Sequence, residues 1–222
     1  MAFPLTHLLV ADAILTRHPR TDAEGALFLL GALAPDAVHY RQGLTSATQK
    51  EIGETKKISH LCPKSSQRWG EVTDNAGWID SVKLFIHNNQ GPLAEGYAVH
   101  VMTDIYTNMT IWDNFRTQHP EEAAKGYASD YYRDLQEIEV RLYQLKVKGS
   151  RIERLLSKAT PVDMPGLVLA EEMKAIQDNI LFSHCQSRKP TPRYQYTFVT
   201  YDETKNFIEQ TAGFIESVLI FG

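Results

Sequence analysis

The chain has 222 residues, 43% of them hydrophobic and 10% aromatic, which is enough to build one sizeable core and too apolar for a disordered segment. Its formal charge of −4, from 27 acidic and 23 basic residues, argues against a surface that coats nucleic acid, which needs a concentrated basic excess. The cysteines, Cys62 and Cys185, form no CxxC pattern, so neither a cysteine zinc site nor a disulfide framework is indicated and a single Cys62–Cys185 bridge is the pairing left open.

The N-terminal stretch Met1-Ala-Phe-Pro-Leu-Thr6-His7 lacks a basic region followed by a long apolar one. No run reaches the roughly 18 apolar residues that span a bilayer, so the expectation is a cytoplasmic protein without a membrane span. Thr6 to His18 reads as a helix with Thr6 as N-cap and an apolar face from Leu8, Leu9, Ala11, Ile14 and Leu15. Thr21 or Asp22 through Ala34 is apolar almost all round, which places that helix in the middle of a bundle, and Pro35 ends it just before Asp36.

Residues 42–57 are polar with little periodicity and read as an exposed excursion that returns at Ile58-Ser59-His60-Leu61. Helices are expected over Val72–His87, Pro92–Trp112, Pro120–Leu145, Ile152–Lys158, Val162–Leu181 and Glu203–Ile220, with the charges of the 120–145 helix on a solvated face. Arg193–Thr200 alternates like a strand, but a single short strand is more often an extended linker. The sum is an all-α protein, one helical domain over residues 1–222, without repeats and without a glycine-rich nucleotide-binding pattern.

Within the Pro92–Trp112 helix, His100 and Asp104 stand four residues apart and so share a face, with apolar neighbours Val99, Met102 and Ile105. A buried imidazole beside a buried carboxylate is either a hydrogen-bonded core pair or a pair of metal ligands. His7 and His60 also lie beside small or apolar residues, unlike His18, His39, His87, His119 and His184, which read as helix-end or surface groups. With Asp36, the set is three imidazoles and two carboxylates, a mixed N/O group that suits zinc, or manganese or iron with less preference.

Four motifs occur in order: Thr6-His7-Leu-Leu, Gly31-Ala-Leu-Ala-Pro35-Asp36-Ala-Val-His-Tyr-Arg, Lys57-Ile-Ser59-His60-Leu and Gly96-Tyr-Ala-Val-His100-Val-Met-Thr-Asp104. Together they resemble the bacterial zinc-dependent phospholipase C family, all-helical enzymes related to the single-strand-specific zinc nucleases, over about residues 1–110. The resemblance implies that Asp36, His60, His100 and Asp104 hold one ion, with Asp104 bridging to a second ion that His7 serves. No His-x-x-x-Glu follows Asp104, so the family's third ion lacks its ligands, and Thr107 and Asn108 stand where further ones would be sought.

The function expected is a metal-dependent hydrolase of phosphoric esters, with one or two zinc ions, acting on a small-molecule or lipid phosphoester. Asp36 is the expected general base, and Arg41 and Lys57 are candidates to clamp a phosphate, though both also read as solvated loop charges. For His39, three residues after Asp36, three readings stay open: a ligand, a partner to a carboxylate ligand, or a surface residue, with the second favoured. Two other classes compete: a metal-stabilised helical protein without turnover, and a zinc-dependent single-strand nuclease, against which the net charge weighs.

Overall fold

The computed structural model describes residues 3–63, 67 and 70–219, and these fold into helices without any strand, the only sheet-like pairing among them being an isolated bridge between Met164 and Val168. The helices are α1 (Pro4–Arg17), α2 (Asp22–Gly31), α3 (Gln49–Ser59), α4 (Asn75–Asn88), α5 (Pro92–Thr107), α6 (Asp113–Gln118), α7 (Pro120–Ala124), α8 (Asp130–Leu142), α9 (Arg151–Leu156), α10 (Ala170–Phe182) and α11 (Tyr201–Val218). A 3-10 helix, Ala34–Tyr40, follows α2. No described helix is long and apolar enough to cross a membrane.

The most extensive helix pairing joins α2 to α5, and glycines make it close. A Cβ on Gly96 would lie 1.9 Å from the Phe28 carbonyl oxygen, and one on Gly31 would lie 2.2 Å from that of Leu93. Only hydrogen fits between these backbones, so the crossing brings the carbonyl of Ala32 within reach of the side chain one turn below Gly96, His100. Around this pair the core is built from Leu5, Leu8, Phe28, Leu29, Leu33, Tyr97, Val101 and Ile105, each inaccessible to solvent.

The expected excursion over residues 42–57 is corrected: α3 occupies its second half. Thr48 and Glu51 form a capping box, the threonine hydroxyl accepting from Glu51 N–H while the glutamate accepts from Thr48 N–H at 2.7 Å, which satisfies two of the first-turn donors that would otherwise be left over. Two longer helices are also shorter than periodicity suggests. Gly126, at φ 54°, breaks the 120–145 run, and the Pro165-Gly166 turn keeps 162–169 out of α10. The expected extension of α11 to Ile220 lies outside the described residues.

Three carboxylates of α8 do not lie on the solvated face expected of its charges, although Arg133 does. Asp134 is fully buried, and its Oδ2 accepts the backbone N–H groups of Thr197, Phe198 and Val199 at 2.9, 2.6 and 3.1 Å, while Oδ1 accepts from the Tyr194 hydroxyl. Glu137 takes the N–H and hydroxyl of Thr191 at 2.7 and 2.9 Å. Carboxylates thus take the N–H groups of Thr191, Thr197, Phe198 and Val199, donors that a partner strand would otherwise satisfy. A third buried carboxylate, Glu139, accepts from Leu5 N–H at 3.2 Å at the start of α1 and faces His184 Nε2 at 3.0 Å.

Burial works against a charge on His184, but its hydrogen bonds with Cys185 and Glu139, and the charge of Glu139, outweigh this and push its pKa up to about 10. A raised histidine pKa contributes stability that is complete below the ordinary value of 6.5 and is lost as pH rises through about 10. In chelator, the melting temperature of the wild type should fall more between pH 7 and pH 10 than that of His184→Gln. Equal slopes would contradict the ion pair. Gly96→Ala should cost about 2 kcal/mol or more by overpacking, a melting temperature roughly 4–8 °C lower by calorimetry.

Candidate metal centre

Five side chains from four elements converge beneath the α2–α5 crossing. His7 comes from the first turns of α1, Asp36 from the 3-10 helix, His60 from the C-terminal end of α3, and His100 and Asp104 from successive turns of α5. All three imidazoles are at most 1% exposed, Asp104 is 2% exposed, and the Asp36 side chain reaches 17%.

Each element is held locally. α2 stops at Gly31, short of the Ala34 expected, and Pro35 stands in the first turn of the 3-10 helix that carries Asp36. At the end of α3, Leu61 N–H donates to Ile58 and Cys62 N–H to Lys57, a Schellman closure in which Leu61 takes the left-handed conformation at φ 55° where glycine is usual. That strained residue directly follows His60, and strain of this kind persists only where the surroundings enforce it. Here the Trp78 indole N–H donates to the His60 carbonyl at 2.7 Å, and the Tyr97 hydroxyl donates to the Ser59 carbonyl.

The ring contacts fix the protons. His100 Nδ1 lies 2.8 Å from the Ala32 carbonyl oxygen and His60 Nδ1 lies 3.0 Å from that of Lys56. A carbonyl only accepts, so His100 Nδ1 carries hydrogen and its Nε2 presents a lone pair; His60 Nδ1 also lies 2.9 Å from the Ser59 hydroxyl, and the tautomer that donates to Lys56 presents its Nε2 lone pair in the same way. Those two Nε2 atoms face each other at 3.3 Å. Two lone pairs at that distance repel, and a cation between them removes the repulsion.

The carboxylates complete the set. Asp36 Oδ1 and Asp104 Oδ2 each lie 3.5 Å from His60 Nε2, and His100 Nε2 lies 4.0 Å from Asp36 Oδ2 and 3.9 Å from Asp104 Oδ2. These separations exceed the roughly 2.7–3.2 Å of a hydrogen bond. Four ligands about 2.1 Å from a tetrahedral zinc ion lie about 3.4 Å from one another, which is the scale seen here. The imidazole nitrogens and carboxylate oxygens of Asp36, His60 and His100, and of His7, His100 and Asp104, form two groups compact enough for an ion.

One nitrogen of His100 cannot serve both groups, and its other nitrogen is taken by Ala32. If His100 joins Asp36 and His60, Asp104 lies beside that group, 3.5 Å from His60 Nε2, and also beside His7. Asp104 turns Oδ2 toward His60 and His100 and Oδ1 toward His7 Nε2, 3.7 Å away, the disposition of a bridging carboxylate. His7 is completely buried, stacked on His100 with centroids 3.6 Å apart, and neither of its ring nitrogens has a hydrogen-bond partner among the described residues. Orphaned buried nitrogens are costly and are the kind of group a ligand satisfies.

The electrostatics agree with a ligand set. Burial, reinforced by its histidine neighbours, holds His7 well below the ordinary histidine pKa; burial also lowers His100, against the pull of Asp36 and Asp104. Burial acts to raise the Asp36 carboxyl, but the imidazoles of His39, His60 and His100 around it hold it well below the usual carboxylate range. Neutral imidazoles beside an ionised carboxylate are the protonation states that bind a metal.

The other residues expected near a substrate fare differently. His39 stands with Nε2 3.6 Å from Asp36 Oδ1, as a carboxylate partner would. Arg41 is spent elsewhere: its guanidinium grips both oxygens of Glu172 at 2.6 and 3.1 Å and pins the 3-10 helix to α10. Lys57 pairs with Glu54 at 2.9 Å, and Asn108 binds the Val72 carbonyl and Asn75, so neither faces the centre's cavity. Thr107 is buried and donates to the Thr103 carbonyl. Cys62 and Cys185 are free thiols, so the bridge left open by sequence is not formed.

Asp36 and Asp104 open onto a cavity of about 270 Å³. Its walls include Phe3, Lys56, Tyr127, Tyr132, Asn179 and His184, none of which the sequence singled out. Phe3 and Lys56 lie just ahead of His7 and His60 in the chain, whereas Tyr127, Tyr132, Asn179 and His184 arrive from around α8 and α10, far along the chain from the ligand motifs, and carry no local spacing signal. No family model matches the chain, and no curated protein or solved structure matches it. The class that fold and site define is an all-helical protein with a buried His/Asp cluster able to hold a metal ion.

Zinc at about 100 times its dissociation constant should add about 2.7 kcal/mol of stability, raising the melting temperature by about 5 °C or more. His100→Ala should lose that shift and the bound zinc, read by elemental mass spectrometry. Full zinc content in His100→Ala would contradict the assignment.

Proposed function

We propose that this protein is a metal-dependent hydrolase of phosphoric esters, using one zinc ion held by Asp36, His60, His100 and Asp104, with His7 available to a second. The observation that carries the reading is a convergent N/O donor set whose two carboxylates border a cavity. That border is what a purely structural metal site does not need. The motif resemblance to zinc-dependent phospholipases C supports the choice of phosphoric esters.

When bound, a divalent ion supplies acidity to water and neutralises charge on a phosphoryl oxygen, the help that a carboxylate as weakly basic as Asp36 requires. Asp36 is the partly exposed carboxylate of the set, so it orients the attacking water and takes its proton at Oδ. His39, 3.6 Å from Oδ1, steadies the charge that Asp36 carries. The buried imidazoles contribute position: each keeps its Nδ1 proton on a backbone carbonyl in His60 and His100, which aims Nε2 inward. A cavity near 270 Å³ is at or below the small end of ligand pockets and favours a compact ester over a polymer strand.

The competing reading is a metal that only ties α1, the 3-10 turn, α3 and α5 together. Deep burial of three histidines favours it. Zinc-loaded protein should hydrolyse 4-nitrophenyl phosphate or its bis ester, and Asp36→Asn that retains zinc should lose about 100-fold or more in kcat/KM. Absence of turnover with zinc bound, alongside a large fall in melting temperature on chelation, would leave the structural reading standing.

A further inference from the structure

The cavity beside the metal centre has a charge pattern of its own. Asp36 and Asp104 are its only acidic lining residues among those described, and both belong to the ligand set. The other charged or titratable wall groups, apart from tyrosines, are His39, Lys56 and His184. The His184 side chain is 25% exposed and the Glu139 carboxylate behind it only 3%, so their ion pair turns its positive end to the cavity. Glu139 is itself fixed by the Leu5 N–H, which holds the imidazole in place.

Four aromatic rings, Phe3, Tyr40, Tyr127 and Tyr132, line the cavity together with Pro4, Ile176 and Asn179. Tyr127 and Tyr132 lie with centroids 4.8 Å apart, Phe3 packs edge-on against Tyr132, and Tyr127 remains 66% exposed although it is a large ring. Aromatic faces with carboxylates would suit a cationic group. Here the carboxylates are engaged by the metal centre and the remaining charges are positive, so a cation is disfavoured and an anion favoured.

We infer that the cavity selects a small phosphoric ester whose alcohol portion is a flat ring bearing a second anionic group, with His184, set by Glu139, as the receptor for that group and Tyr127 and Tyr132 as the surface for the ring. The inference rests on the hydrolase reading, with the phosphoryl group at the metal centre. His184 is thereby a specificity-determining residue remote in sequence from every ligand.

Binding of two probes that resist hydrolysis tests this apart from turnover: benzylphosphonate and 4-carboxybenzylphosphonate, titrated calorimetrically into the zinc-loaded full chain. The carboxylated probe should bind about tenfold tighter or more, and in His184→Gln the ratio of the two affinities should fall to about one. Wild-type imidazole 15N spectra, which need no substitution, should show His184 shifting with the carboxylated probe alone. A wild-type ratio near one, a ratio retained in His184→Gln, or an unmoved His184 resonance would overturn the inference while leaving the hydrolase reading intact. If neither phosphonate binds zinc-loaded protein, both fall.

Discussion

Two imidazole nitrogens, each with its lone pair forced inward, face each other at 3.3 Å in the interior of this protein. The backbone sets them: the Ala32 carbonyl holds the Nδ1 proton of His100, and the Lys56 carbonyl accepts from His60 Nδ1, beside which the Ser59 hydroxyl also lies at 2.9 Å. Two carboxylates crowd the same point. Burying such groups without a countercharge costs several kcal/mol, and the rest of the architecture is arranged to keep them there. Gly96 and Gly31 let α5 approach α2 so closely that the Ala32 carbonyl meets His100. Leu61 accepts a left-handed backbone so that α3 can stop at His60.

The ligand side of the site was legible in the sequence because it is local. An i,i+4 pair on an apolar helix and an aspartate directly after a proline are patterns of spacing, and spacing survives in one dimension. The helices were legible for the same reason, apart from their breaks. Residues 49–57 looked like part of a loop because α3 carries many charges and few apolar side chains, but Thr48-x-x-Glu51 is a capping box that marks its start. Arg41 looked available for phosphate until Glu172, 131 residues away, proved to hold it.

The substrate side was not legible, again for a physical reason. Tyr127, Tyr132 and His184 reach the cavity through packing among α8, α10 and the segments around them, and no period or motif encodes that meeting. The charges of α8 are the clearest case. Read by periodicity they belong to solvent, yet Asp134, Glu137 and Glu139 are buried and bind backbone donors of the 191–199 segment and of α1. Through Glu139, α8 fixes both the start of the helix that carries His7 and the imidazole of His184. One carboxylate thus links the metal side of the cavity to the opposite wall.

The central claim is that the facing lone pairs of His60 and His100 enclose a cation. Anomalous diffraction at the zinc absorption edge, on crystals grown with zinc, tests it most directly. A peak about 2.0–2.2 Å from both Nε2 atoms and from oxygens of Asp36 and Asp104 is the result this account predicts. Zinc-soaked crystals with no anomalous density between the two rings would contradict it.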